Sequence, residues 1–185
     1  MNGLARVVAT GGECTGKTTL AAALAGRRGV LCVPEAARLV AEEKRSPLDA
    51  SDVSRIAGRH VALADAAAAE SARRGLRLLI LDTDLLSTVA YARHYYRGCP
   101  AGIETAARGR LADLYLLHHP DVPWIPGPAR DRPASRDEIH ALFEAVLREF
   151  GARVVDVRGS WEERDRLAAA AVAALLGLRS GSDPA

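Results

Sequence analysis

At 185 residues with 49% hydrophobic content, the chain carries apolar material for one good core and little for a second domain. Its formal charge of +2, from 25 Lys and Arg against 23 Asp and Glu, gives no overall field that would draw a polynucleotide or an anionic membrane as main partner. Cys14, Cys32 and Cys99 are far apart without C-x-x-C spacing, which speaks against a disulfide framework or zinc site and for a reducing cytoplasm. The longest apolar run, Leu167 to Leu178, is too short to span a bilayer, and the N-terminus shows no export signal.

The first predicted strand is Leu4 to Ala9, and it leads directly into Gly11-Gly12-Glu13-Cys14-Thr15-Gly16-Lys17-Thr18-Thr19. This stretch fills every position of the G-x-x-x-x-G-K-[ST] phosphate-binding loop in the strand-to-helix setting that loop requires. Glycines permit a tight loop whose N–H groups converge on a phosphate, and the helix from Lys17 to about Arg27 points its positive end at the same anion. Lys17 is expected to reach the β and γ phosphates, Thr18 to offer a hydroxyl to Mg²⁺, and Thr19 to support the helix start.

Further strand-length apolar runs follow at Gly29 to Val33, Leu76 to Leu81, Leu114 to Leu117 and Arg153 to Val157, with helical patterns between them. That alternation predicts an α/β fold: a five-stranded parallel sheet covered on both faces, the three-layer sandwich of P-loop NTPases. Ser51 reads as the N-cap of a long helix carrying Val53, Ile56, Ala57, Val61 and Ala64. Ser135 to Glu138 and Ser160 to Glu163 read as capping boxes opening the last two helices. Residues 1–178 form the expected domain, and 179–185 a disordered tail. One segment breaks the pattern: His119 to Ala134 holds five of the nine prolines together with Arg130 and Arg132. Prolines stiffen a loop without ladder hydrogen bonds, so about 119–135 is expected to be an arginine-bearing lid that spreads transferring charge onto guanidinium planes.

Leu78 to Leu81 followed by Asp82-Thr83-Asp84 delivers carboxylates to a strand's C-terminal end, where open α/β sheets bind ligands. Asp82 is the expected Mg²⁺ partner opposite Thr18, with helix capping as the competing role for both aspartates. Glu35 ends the second strand in Val33-Pro34-Glu35-Ala36-Ala37-Arg38, so it faces the same edge and is a candidate to orient or deprotonate an acceptor hydroxyl. Arg38 could fix a polar group of the substrate, Asp84 is the alternative base, and Tyr91 with Tyr95 could offer a ring to a planar base. A helix-start role for Glu35 and core packing for the tyrosines stand beside these readings.

With these residues in place, the chain resembles the AAA-type P-loop family that includes the ribosylnicotinamide kinase domain of bacterial NadR proteins. The resemblance rests on Gly11 through Thr19, Pro34-Glu35 with Arg38, Leu81-Asp82-Thr83-Asp84, Pro120-Asp121-Val122-Pro123-Trp124, Arg130-Asp131-Arg132-Pro133 and Arg158-Gly159-Ser160. It implies ATP-dependent phosphorylation of nicotinamide riboside to nicotinamide mononucleotide, with Mg²⁺ as cofactor and Trp124 in the acceptor site. It departs from the family where Val33 and Pro34 precede Glu35 in place of an aromatic residue, and where Ile125 to Ala129 replaces an Asp-Gly pair. The adenylyltransferase portion of full-length NadR proteins has no counterpart in these residues. The expected partner is a small nucleoside or riboside rather than a nucleic acid or membrane, and a homo-oligomer is compatible with all of this. A kinase of another riboside and a nucleotide-dependent regulatory ATPase or GTPase are the competing readings, the second weakened by the lack of an N-K-x-D tetrad.

Overall fold

The computed structural model describes residues 3–123 and 136–180. Five parallel strands, β1 (Ala5–Thr10), β2 (Leu31–Val33), β3 (Leu78–Asp82), β4 (Leu114–His118) and β5 (Val154–Val157), form one sheet in the order β2-β3-β1-β4-β5. All five residues of β3 and of β4 are buried, which explains why both read as unbroken apolar runs rather than alternating ones. The expected α/β architecture is therefore present, with the phosphate loop leaving the central strand.

Helices α1 (Lys17–Arg28) and α7 (Trp161–Ser180) cover one face, where Ala5, Val7 and Ala9 meet Leu20, Leu24, Ala168 and Val172. On the other face, α3 (Val53–Arg73), α4 (Leu85–Tyr96), α5 (Ala101–Arg108) and α6 (Arg136–Glu149) pack Val53, Val89, Ile103 and Phe143 against Val8, Leu81 and Tyr115. The short α2 (Ala36–Lys44) docks on α3 through Val40 and Ile56. Among the described residues no helix is long and apolar enough to cross a membrane.

Local chemistry moves several expected boundaries. Gly29 is the left-handed C-cap of α1 at φ 62°, so β2 starts two residues later than the apolar run. Ser51 is not the N-cap of α3; it lies in a 3₁₀ turn, Ala50–Asp52, that leads into α3 and is capped by Asp49, whose carboxylate accepts from the Ser51 N–H at 2.8 Å while Asp52 accepts from the Asp49 N–H at 2.9 Å. The Ser160 to Glu163 box forms as expected, with the Glu163 N–H donating to Ser160 Oγ at 3.2 Å and the Ser160 N–H to Glu163 at 2.7 Å. Helix α7 runs through Ser180, past the expected end of the domain, while Ser135 lies outside the described residues.

Candidate nucleotide site

The phosphate loop joins β1 to α1 at the C-terminal edge of the sheet, and its shape depends on two glycines. At Gly11 the backbone has φ 126°, and a Cβ there would lie 2.7 Å from the His118 carbonyl oxygen. At Gly16, the N-cap of α1, φ is 83°, and a Cβ would fall 2.5 Å from the Trp161 ring. Within the loop, the Thr15 hydroxyl donates to the Gly12 carbonyl at 2.8 Å and Lys17 Nζ donates to the same oxygen at 2.6 Å. The first turn of α1 holds no acidic side chain, so its positive end is left for an anion.

Lys17 is buried, and that burial pulls its ammonium below the ordinary lysine range. Glu35, Asp82 and Glu13 act in the opposite direction, while Arg38 adds to the lowering. Asp82, at the end of β3, is 3% exposed; burial first, with the charge of Glu35 adding, raises its carboxyl above the ordinary value. Its Oδ2 accepts from the Thr18 hydroxyl at 2.6 Å, whereas its buried Oδ1 has no hydrogen-bond partner among the described residues. Arg38 closes the group by donating to Glu35 at 2.9 Å and to Thr18 Oγ1 at 3.3 Å. Glu35 occupies the N-cap position of α2 without a side-chain cap bond, its carboxylate being turned to Arg38, so it does not serve as a helix cap. Burial drives the Tyr91 phenol well above its ordinary pKa, and the charges of Glu13 and Glu35 add to the rise. Its ring also packs edge-on to Phe143 at 5.3 Å between centroids and is stacked with Tyr95 at 6.0 Å.

Asp84 does not join this group. Thr83 adopts φ 68°, which breaks the two-residue alternation that would have kept Asp82 and Asp84 on one side. The Asp84 carboxylate caps α4 instead, accepting from the Leu86 and Ser87 N–H groups at 3.0 and 3.4 Å and from the buried Tyr115 hydroxyl at 2.7 Å. The capping role weighed for both aspartates thus belongs to Asp84 alone, and its assignment as a base is replaced by a structural one. Thr19 is exposed in the first turn of α1. Trp124, Arg130 and Arg132, and with them most of the expected lid, lie outside the described residues.

Three side chains that the sequence reading passed over surround the loop: His118, Trp161 and Arg164. A signal was available for the last, because Arg164 falls in line with Ala168, Val172 and Leu175 on the apolar stripe of α7.

The profile of the AAA domain family matches residues 6–164. The chain belongs to the AAA domain family. As a member of it, the chain carries a nucleotide-binding P-loop domain, and its five-stranded parallel sheet is P-loop NTPase-like. Among solved structures, this AAA domain is similar to a NadR protein in complex with NR, at 24% identity and a TM-score of 0.75. It is likewise similar to a NadR protein in complex with NAD and AMP-PNP, at 26% identity and a TM-score of 0.72. Each match covers 94% of this chain and 50% of the other, so the chain spans about half the length of these NadR proteins. A thymidylate kinase from Ehrlichia chaffeensis shares the fold at 16% identity and a TM-score of 0.62, over 94% of this chain and 99% of that one. No curated protein sequence matches the chain.

Proposed function

We propose that this chain is an ATP-dependent kinase of a small hydroxyl compound, with nicotinamide riboside as acceptor and nicotinamide mononucleotide as product. The observation that carries the reading is the convergence of Lys17, Thr18, Asp82, Glu35 and Arg38 at one edge of the sheet, beside the N-terminus of α1. A pure nucleotide switch needs the loop, Thr18 and Asp82; a kinase also needs a carboxylate and a cation on the acceptor side, and Glu35 with Arg38 supplies both. The similarity to NadR proteins holding NR and AMP-PNP supports this choice of acceptor and donor.

Thr18 and Asp82 suit Mg²⁺, since both offer hard oxygen donors and the buried Asp82 Oδ1 has no other partner among the described residues. Bound there, Mg²⁺ would neutralise charge on the β and γ phosphates. Lys17 lies where its ammonium can leave the Gly12 carbonyl for the same phosphate oxygens. In the transfer the acceptor oxygen bonds to the γ phosphorus, the bond to the β,γ-bridging oxygen breaks, and ADP leaves. The hydroxyl proton passes to the Glu35 carboxylate, while Arg38 orients that carboxylate. For the aromatic residue lacking before Glu35 the proposal takes Tyr91, whose phenol feels the charges of Glu35 and Glu13. Arg130 and Arg132, which lie outside the described residues, complete the proposal as the cations that would offset charge on the transferring group.

The test is ADP release by the purified chain with MgATP or MgGTP and a panel of nucleosides and ribosides. Turnover fastest with nicotinamide riboside and ATP is the expected result. Hydrolysis that no acceptor stimulates would replace the kinase with a regulatory ATPase.

A further inference from the structure

Helix α7 places Trp161 and Arg164 against the phosphate loop, and the Arg164 side chain is fully buried. A buried guanidinium is tolerated only when its donors are met and its charge is balanced. Here Nε donates to the Gly159 carbonyl, Nη1 to the Thr15 carbonyl and Nη2 to the His119 carbonyl, each at 3.0 Å, and Nη2 also donates to the Asp121 carboxylate. The other oxygen of Asp121 accepts from the Gly159 N–H at 2.6 Å, so the counter-ion is itself held in place. His118 supplies a second donor to Thr15: its Nδ1 lies 3.0 Å from that carbonyl oxygen, which can only accept, so Nδ1 carries the proton.

Two donors on one loop carbonyl have a stereochemical consequence. The Thr15–Gly16 peptide is trans, so its C=O and N–H point in opposite directions. Gly16, at φ 83°, has the freedom that makes flipping this peptide inexpensive, and a flipped peptide would turn the Thr15 carbonyl toward an incoming anion. With Trp161 covering Gly16 and two donors holding the Thr15 oxygen on the side of α7 and β4, the Gly16 N–H is directed the other way. We propose that Arg164, with His118, is a positioning residue for the nucleotide: it holds the Thr15–Gly16 peptide so that the Gly16 N–H donates to a phosphate oxygen. The proposal rests on the nucleotide reading and assigns α7 a task in the site beyond packing on the sheet.

The planar fork explains the choice of side chain. Three carbonyls from the phosphate loop, the end of β4 and the β5–α7 connection are reached at once, which a lysine ammonium on a single point cannot do.

The test compares the full chain with Arg164→Ala and Arg164→Lys in calorimetric titrations with MgATP, at a temperature where circular dichroism shows each to be folded. Losing one oriented donor to a phosphate corresponds to roughly 10- to 100-fold weaker ATP binding for the alanine variant. The lysine variant should recover part of the affinity. Where an acceptor is turned over, KM for ATP should rise while KM for the acceptor stays within about twofold, a split that simple loss of stability does not produce. The Gly16 amide proton resonance of the wild-type chain should move downfield when MgATP is added and move less in Arg164→Lys, which keeps the test decisive if the alanine variant does not fold. Folded variants that bind ATP as the wild type does, or an immobile Gly16 resonance in a wild-type chain that binds ATP, would overturn the proposal. A wild-type chain that binds no nucleoside triphosphate would remove the nucleotide reading itself.

Discussion

Replacing Asp84 with asparagine separates a structural carboxylate from a catalytic one. Burial raises the Asp84 carboxyl from the ordinary 3.8 to about 6, against the opposing pull of its bonds from Tyr115, Ser87 and Leu86. A rise of that size corresponds to about 3 kcal/mol of destabilisation at neutral pH, where the folded chain must bury a charge. The sign follows from the direction: the folded pKa lies above the unfolded one, so the favourable contribution is present below 3.8 and is lost as pH rises through 6. Asparagine removes the charge and can still accept from the Leu86 and Ser87 N–H groups. Its amide must donate to the Tyr115 oxygen, which already accepts from the Ala112 N–H, so the phenolic proton loses its acceptor at a cost of about 1–2 kcal/mol. The balance is a gain of about 1–2 kcal/mol at pH 7.5, or a Tm higher by roughly 2–8 °C, which reverses to a deficit of about 1–2 kcal/mol below about pH 4, where only the loss at Tyr115 remains. Thermal melts from pH 4 to 8 beside ADP-release rates give both readouts. Activity lowered more than about 100-fold at unchanged Tm would put Asp84 back into the reaction and refute the inward placement. A pH-independent difference between the two proteins would refute the burial argument.

Lys17→Ala should abolish phosphoryl transfer and leave the fold intact; it also relieves the burial of an ammonium, so its Tm should equal or exceed that of the wild type. Activity near the wild-type level would remove the kinase assignment. Asp82→Asn should raise the Mg²⁺ concentration needed for half-maximal rate, whereas Glu35→Gln should lower kcat by roughly 10²- to 10⁴-fold and spare ATP binding, which titrations of Mg²⁺ and ATP on both variants resolve. Acid should destabilise the chain well above the carboxylate range. Burial lowers His118 to about 3 and His60 to about 4, so the stability tied to their neutral forms is complete above 6.5 and declines as pH falls below it. The two histidines outweigh the opposite trend of Asp84, and melts at pH 7.5 and pH 5 should show the lower Tm at pH 5.

What the sequence by itself determined is what local chemistry determines. The glycine pattern ahead of Lys17 declares a phosphate loop because few other backbones tolerate φ 126° and 83° at Gly11 and Gly16. The unbroken apolar runs of β3 and β4 declare a sheet buried on both faces, and the Ser160–Glu163 box declares the start of α7. Glu35, Arg38 and Asp82 could be expected at one edge because parallel strands end on the same side. Only the tertiary structure decided which carboxylates meet there. Asp82 and Asp84 are two residues apart and look equivalent in sequence, yet one left-handed residue, Thr83, sends Asp84 to Tyr115 and away from the loop. Arg164 lies 149 positions from Thr15, and its place on the apolar stripe of α7 announces burial but no partner. Its role exists only because α7 packs its first turn on the phosphate loop, where a planar guanidinium finds three carbonyls and a carboxylate from segments that sequence spacing keeps far apart.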